Sequence, residues 1–211
     1  MTQPKLFCWI PFLSTLLVTS LMISAPAQAE MTLKEGLQYQ LLKKPQSIEP
    51  HSKSVVEVFY YGCSHCYRLE PSLHQWLKTK PKDVHFERLP AVLDNPNWVF
   101  MARVFYTAKF LGIEDEFHTQ YFEAIQGKRQ SIFDVDALAK FVEPMGIKPE
   151  DYKKMFNSFQ VNNAIAKAKQ RTQAYGIEGV PAVVVNGKYL TDVPMASSQQ
   201  ALWQVVNTLL N

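Results

Sequence analysis

The sequence predicts an α/β fold with a helical block inserted into it, and three features point there. The nearly continuous apolar run Val55-Val56-Glu57-Val58-Phe59-Tyr60 is followed by a segment of helical period and then by Val84 to Leu89, which reads as a second strand. Together these read as a βαβ unit. Residues from about 92 to 160 then turn to helical patterning. Near the end, Asn186-Gly187 separates two apolar runs between Ala182 and Leu190, the signature of a hairpin with a two-residue turn.

Composition limits the function classes. The chain has 211 residues, 47% hydrophobic and 19% charged, with three cysteines, which argues against disorder, collagen-like repeats and a disulfide-stapled miniprotein. A formal charge of +3 without a dense Lys/Arg run implies no nucleic-acid partner.

The first 29 residues differ from the rest. Lys5 is their only charged side chain, an apolar segment runs from Leu6 to Ile23, and Ala27-Gln28-Ala29 closes the stretch with small residues. This order predicts a signal peptide cleaved before Glu30. The segment is too short and broken for a span of about 20 residues. Cleavage removes Cys8 and leaves only Cys63 and Cys66.

In the mature chain, Leu37 to Leu42 reads as one strand and the Ser/Pro/His stretch up to residue 54 as a loop. Val55 to Tyr60 suits a central strand covered on both faces; Glu57 is the anomaly in it. Gly62 permits a tight junction, and Cys66, Leu69, Leu73 and Trp76/Leu77 recur at helical spacing, predicting a helix over about 64–79 with a kink at Pro71. Val84 to Leu89 is the second strand. Asn97 to Leu111, apolar almost all round, predicts an enclosed helix, while Glu114 to Gln126 and Asp134 to Glu143 are more amphipathic. Helices over about 150–159 and 161–175 precede the hairpin, and Ser197 or Ser198 caps a last helix. The expected division is a first fold segment over 30–91, a helical insertion over 92–160 and a second fold segment over 161–211.

The chemistry concentrates at Cys63-Ser64-His65-Cys66. A sulfur at a strand-to-helix junction faces unpaired backbone N–H groups and the positive helix end, and Cys66 lies one turn on. A disulfide closing so short a loop adds little unfolded-state constraint, so a chemical use is favoured over a stapling use. Two other readings stay open at this point: an inert disulfide, or half of a metal site completed from His51, His74, His85 and His118, whose spacing forms no ligand motif.

Phe59-Tyr60-Tyr61-Gly62-Cys63-Ser64-His65-Cys66 together with Gly179-Val180-Pro181-Ala182 resembles the DsbA family of periplasmic thiol-disulfide oxidoreductases, over nearly all of residues 30–211. The resemblance implies a thioredoxin-like fold with an inserted helical subdomain, Cys63 as exposed nucleophile, Cys66 as its buried partner, and a cis Pro181 opposite the sulfurs. Such a bond would present the Val180 N–H and C=O to an extended substrate; a merely structural turn is the alternative. A buried acid matches Glu57, whose raised pKa would let it exchange a proton with Cys66, against an ordinary surface-paired carboxylate. Glu70 sits where the family has an acid near the site, or is simply solvated. Tyr60 and Tyr61 either flank a shallow substrate groove or pack in the core. Ser64 departs from the Pro of the family's best-known oxidant and, with His65, tunes oxidising strength.

The resemblance further implies donation of the Cys63–Cys66 disulfide to reduced exported proteins, reoxidation by a DsbB-like quinone-linked membrane protein, a monomer, and no cofactor or metal. Rival readings are a disulfide isomerase or reductase, a non-enzymatic chaperone or binding module, and a glutathione-linked enzyme. Only about 25 residues precede Val55 after cleavage, too few for the dimerisation domain of the V-shaped isomerases. Sequencing of the exported protein should find Glu30 at its N-terminus; retention of residues 1–29 contradicts the cleavage reading.

Overall fold

In the computed structural model of the chain, the described residues are 1–2, 32–46 and 52–211. The expected signal peptide and His51 lie outside them. Five strands form one sheet in the order β1-β5-β4-β2-β3. They are β1 (Gln40–Leu41), β2 (Lys53–Phe59), β3 (Val84–Pro90), β4 (Ala182–Val185) and β5 (Tyr189–Thr191). β2 pairs in parallel with β3 and antiparallel with β4, so the βαβ unit and the hairpin meet along one central strand. Val55 to Phe59 are all buried, as a strand covered on both faces requires.

The connecting helix α1 (Ser64–Thr79) carries Pro71 inside it, within the expected range of about 64–79. The chain then forms α2 (Pro96–Phe110), α3 (Glu114–Phe122), α4 (Val135–Phe141), α5 (Pro149–Phe156) and α6 (Phe159–Ala174). Asn95 caps α2 by accepting from Asn97 N–H, and Pro96 occupies its first turn, the position where a missing donor costs nothing. The last helix α8 (Gln199–Leu209) follows a short turn of helix, α7 (Val193–Ala196), and is capped by Ser198. The Asn186-Gly187 turn has positive φ at both positions, 51° and 59°, the type the hairpin reading demanded.

Two elements depart from the expected ones. The expected strand over residues 37–42 shrinks to Gln40–Leu41 because Lys34 to Tyr39 closes into a turn, with Gly36 N–H donating to Tyr39 C=O. The helix expected over Glu114 to Gln126 is α-helical only to Phe122 and ends in a π turn over Glu123–Gly127.

The sheet separates two cores. Val55, Val183 and Val185 pack with Leu69, Leu73, Trp76, Leu202 and Val206 of α1 and α8. Val56, Val58 and Val184 pack with the inserted helices through Phe105, Phe117, Tyr121 and Phe122. The alternation along β2 sends neighbouring side chains to opposite faces, and Glu57 therefore enters the side occupied by α1.

Across the first core the Trp76 and Trp203 rings stack at 5.0 Å, and Trp203 Nε1 donates to Ser72 Oγ. Trp203→Ala should cost about 3–5 kcal/mol in urea unfolding; a loss below about 1 kcal/mol contradicts this account of how α8 is held to α1.

Candidate functional site

The site is built where β2 turns into α1. Tyr60 and Gly62 make the junction: Cys63 N–H donates to the Tyr60 carbonyl at 2.9 Å, and the Tyr60 ring folds so close over Gly62 that a Cβ there would lie 2.3 Å from it. Cys63 is the N-cap of α1, in extended backbone conformation and half-buried, and no acid sits in the first helical turn. Ser64 and His65 are exposed and Cys66 is fully buried. Both cysteines are thiols in this structure.

The two sulfurs are driven in opposite directions. The Cys63 thiol is lowered from 9.0 to about 5, chiefly by the hydrogen bond from Cys66; burial opposes this, while the Cys66 and His65 amides and the His65 charge reinforce it. Burial pushes the Cys66 thiol far up, and the hydrogen bond and charge of Cys63 add to that. One helix end thus favours a half-buried thiolate beside a buried, protonated partner.

Beneath the sulfurs lies a buried polar layer. Glu57 and Arg88 are direct partners in the β2–β3 register, with Arg88 Nε 3.5 Å from Glu57 Oε2. Arg88 also approaches Glu70 Oε2 at 3.8 Å and reaches the exposed Asp115. His118 Nε2 lies 3.2 Å from Glu70 Oε1, and its Nδ1 lies 3.1 Å from Tyr61 Oη. A neutral His118 with its proton on Nε2 satisfies both contacts, donating to Glu70 and accepting from Tyr61. Burial favours that neutral form and lowers the His118 pKa.

One guanidinium cannot balance two buried carboxylates. Burial raises Glu57 from 4.5 to about 8, with the Glu70 charge adding and Arg88 opposing. Burial also works to raise Glu70, but the His118 hydrogen bond and the surrounding positive charges hold it below its ordinary value. Glu70 therefore carries the negative charge and Glu57 the proton. Neither Glu57 oxygen has a hydrogen-bond partner among the described residues, consistent with a neutral acid free to exchange its proton. Glu57, Glu70 and His118 bring donor atoms within 4.8 Å of one another, yet Arg88 already supplies the cation between the carboxylates.

Opposite the sulfurs, the Val180–Pro181 peptide is cis, and Cys63 Sγ lies 3.4 Å from the Val180 carbonyl oxygen, to which it donates only as the protonated thiol. Val180, Pro181 and His65 line a groove of about 1270 Å³ whose walls include Leu42, Ile177 and Leu190. Neither Tyr60 nor Tyr61 lines this groove. Tyr61, 1% exposed, packs edge-on against Phe59 and Tyr121; with no surface to offer a substrate, it is a core residue. Tyr60 is partly exposed and stacks on Trp98 at 4.0 Å. Glu70 is buried in the polar layer, which overturns the solvated alternative.

A family profile described as the DSBA-like thioredoxin domain matches residues 54–207. This chain belongs to that family. The thiol:disulfide interchange protein DsbA of Pseudomonas syringae pv. tomato is 35% identical over 200 residues, covering 94% of this chain and 93% of that protein. The DsbA of Azotobacter vinelandii is 36% identical, covering 84% of this chain and 83% of its own length. Among solved structures, Pseudomonas aeruginosa DsbA superposes with a TM-score of 0.77 at 35% identity, over 83% of this chain and 91% of that one. The DsbA-like chain is accordingly a protein thiol-disulfide oxidoreductase with a thioredoxin-like fold and a helical insertion.

Sequence reasoning missed Arg88 and named His118 only among four histidines that could complete a metal site. Arg88 is the one Lys or Arg in the predicted second strand, and pairing Lys53–Phe59 with Val84–Pro90 would have set it beside Glu57. His118 lay hidden in the aromatic stripe of α3, since nothing local distinguishes a core-facing histidine.

Thiolate absorbance of the reduced DsbA-like protein should titrate with a midpoint near 5, with Cys66 silent through the neutral range; a midpoint near 9 contradicts the helix-end arrangement. For Glu57, the folded value exceeds the unfolded one, so its stabilising contribution is full below pH 4.5 and is lost as the pH rises through 8. Glu57→Gln should therefore gain stability relative to wild type across that window in urea unfolding. A difference that does not change with pH contradicts a buried neutral acid.

Proposed function

We propose that this protein is a periplasmic dithiol oxidase that donates the Cys63–Cys66 disulfide to reduced cysteines of exported, incompletely folded proteins. The observation that carries this direction of reaction is the Cys63 thiol, lowered to about 5 at the head of α1. A thiolate so stabilised is a good leaving group, and its stability favours the reduced form of the protein over the disulfide.

A substrate thiolate attacks Cys63 Sγ, forming the mixed disulfide and breaking the Cys63–Cys66 bond. Cys66 leaves with the electron pair and takes up a proton, which neutral Glu57 can donate. A second substrate thiolate then attacks the substrate sulfur of the mixed disulfide and expels the Cys63 thiolate. The substrate loses two electrons and the protein gains them; Cys66 keeps one proton, and Cys63 stays ionised at neutral pH.

The Val180 backbone beside Cys63 supports strand-like pairing of the substrate chain, and the groove past Pro181 and His65 is suited to its apolar side chains. Ser64 and His65, exposed in the first helical turn, are the positions where the strength of the oxidant is tuned, and Glu70 tunes it from below through the shared Arg88. We assign residues 1–29 to a cleaved signal peptide, residues 92–160 to an insertion between the two fold segments, and reoxidation to a quinone-linked membrane protein of the DsbB kind acting on a monomer. No described helix is long and apolar enough to cross a membrane.

Oxidised protein mixed with a reduced two-cysteine peptide should convert it stoichiometrically to the disulfide, and Cys63→Ser should abolish the conversion. An inert wild type refutes the oxidase reading, and faster rescue of scrambled substrate than oxidation of reduced peptide would favour an isomerase.

A further inference from the structure

The redox motif is tied on both flanks to one irregular turn of the insertion, which the chemistry above does not use. In the π turn Glu123–Gly127 that ends α3, Lys128 N–H donates to the Glu123 carbonyl at 2.8 Å, an i to i+5 bond. Gln126 Nε2 donates to the Tyr61 carbonyl at 2.8 Å, two residues before Cys63. Glu123 Oε2 accepts from Tyr67 Oη at 2.5 Å, one residue after Cys66.

The geometry explains why a π turn serves here. Residues three apart on an α-helix lie about 60° apart around the axis, and the wider π turn spreads them further. One side chain then reaches the chain entering the motif and the other reaches the helix leaving it. Gly127 makes room for this, because a Cβ there would sit 2.7 Å from both Glu123 carboxylate oxygens. Tyr61 is held a second time by the same helix, through its hydroxyl and His118.

We propose that the π turn is a positioning clasp for the redox motif: Gln126 and Glu123 fix the two flanks of Cys63-Ser64-His65-Cys66 and so set how directly the His65 and Cys66 amides face the Cys63 sulfur. This rests on the redox reading of that motif. Both residues act through Tyr61 and Tyr67. Releasing either flank lets the amides turn away from the sulfur, and the thiolate loses donors that the disulfide never needed.

The test compares Gln126→Ala, Glu123→Ala and Glu123→Gln by thiolate absorbance against pH and by equilibrium with glutathione. Losing one such hydrogen bond should shift the glutathione equilibrium toward oxidised protein by about 3- to 10-fold, with a higher Cys63 titration midpoint. Glu123→Gln keeps an acceptor for the Tyr67 hydroxyl and should stay within about twofold of wild type. Val206→Ala, in the core beneath α8, controls for stability alone and should move neither readout.

Folded Gln126→Ala and Glu123→Ala proteins with both readouts unchanged would overturn the clasp, as would shifts matched by Val206→Ala. Should Glu123→Ala fail to fold, Tyr67→Phe removes the same bond without opening a cavity and decides the matter with Gln126→Ala. Neither readout uses a protein substrate. A wild type that oxidises no peptide therefore defeats the functional reading and leaves the clasp separately measurable.

Discussion

A thiolate held at the head of a helix is the interaction on which the rest of this molecule depends. Cys63 is the N-cap residue of α1, so its sulfur faces the His65 and Cys66 amides and the positive end of the helix dipole. The Cys66 thiol adds the largest single contribution by donating to it. This stabilisation exists only in the reduced protein, because a sulfur in a disulfide carries no charge to stabilise. Folding energy stored in that contrast makes the disulfide easy to give away.

The fold supplies what the thiolate needs. β2 ends where α1 begins, and the β2–β3 register that builds the sheet also sets Arg88 against Glu57. The polar layer then divides its protons by environment: Glu70, braced by His118 and Arg88, stays charged, while Glu57, without hydrogen-bond partners among the described residues, holds a proton under the buried sulfur. The hairpin brings Val180–Pro181 to the other side of Cys63. Three segments distant in sequence thus converge on one sulfur, and the insertion contributes His118 to the layer and Gln126 to the loop above it.

Much of this was legible in the residues. The apolar run at Val55, the helical spacing from Cys66 to Trp76 and the Asn186-Gly187 turn are local patterns, and local patterns locate elements well. The anomalous Glu57 in an apolar strand and the two motifs at Cys63 and Pro181 marked the site. What escaped was tertiary. Tyr61 and Tyr60 are adjacent aromatics in the sequence, yet beyond the end of β2 one is sealed in the core against Phe122 of α3 and the other stacks on Trp98, partly exposed. Nor could periodicity show that the helix expected to Gln126 changes to a π turn, whose Glu123 and Gln126 make their contacts with residues 56 and 65 positions earlier.

The central claim is that the reduced protein is the favoured state because Cys63 is a stabilised thiolate. Equilibrating the purified protein with mixtures of reduced and oxidised glutathione measures this directly. The account predicts a Cys63–Cys66 couple more oxidising than glutathione, so that the protein is found largely reduced even when oxidised glutathione is plentiful. A potential as low as that of thioredoxin, about −270 mV, would contradict it.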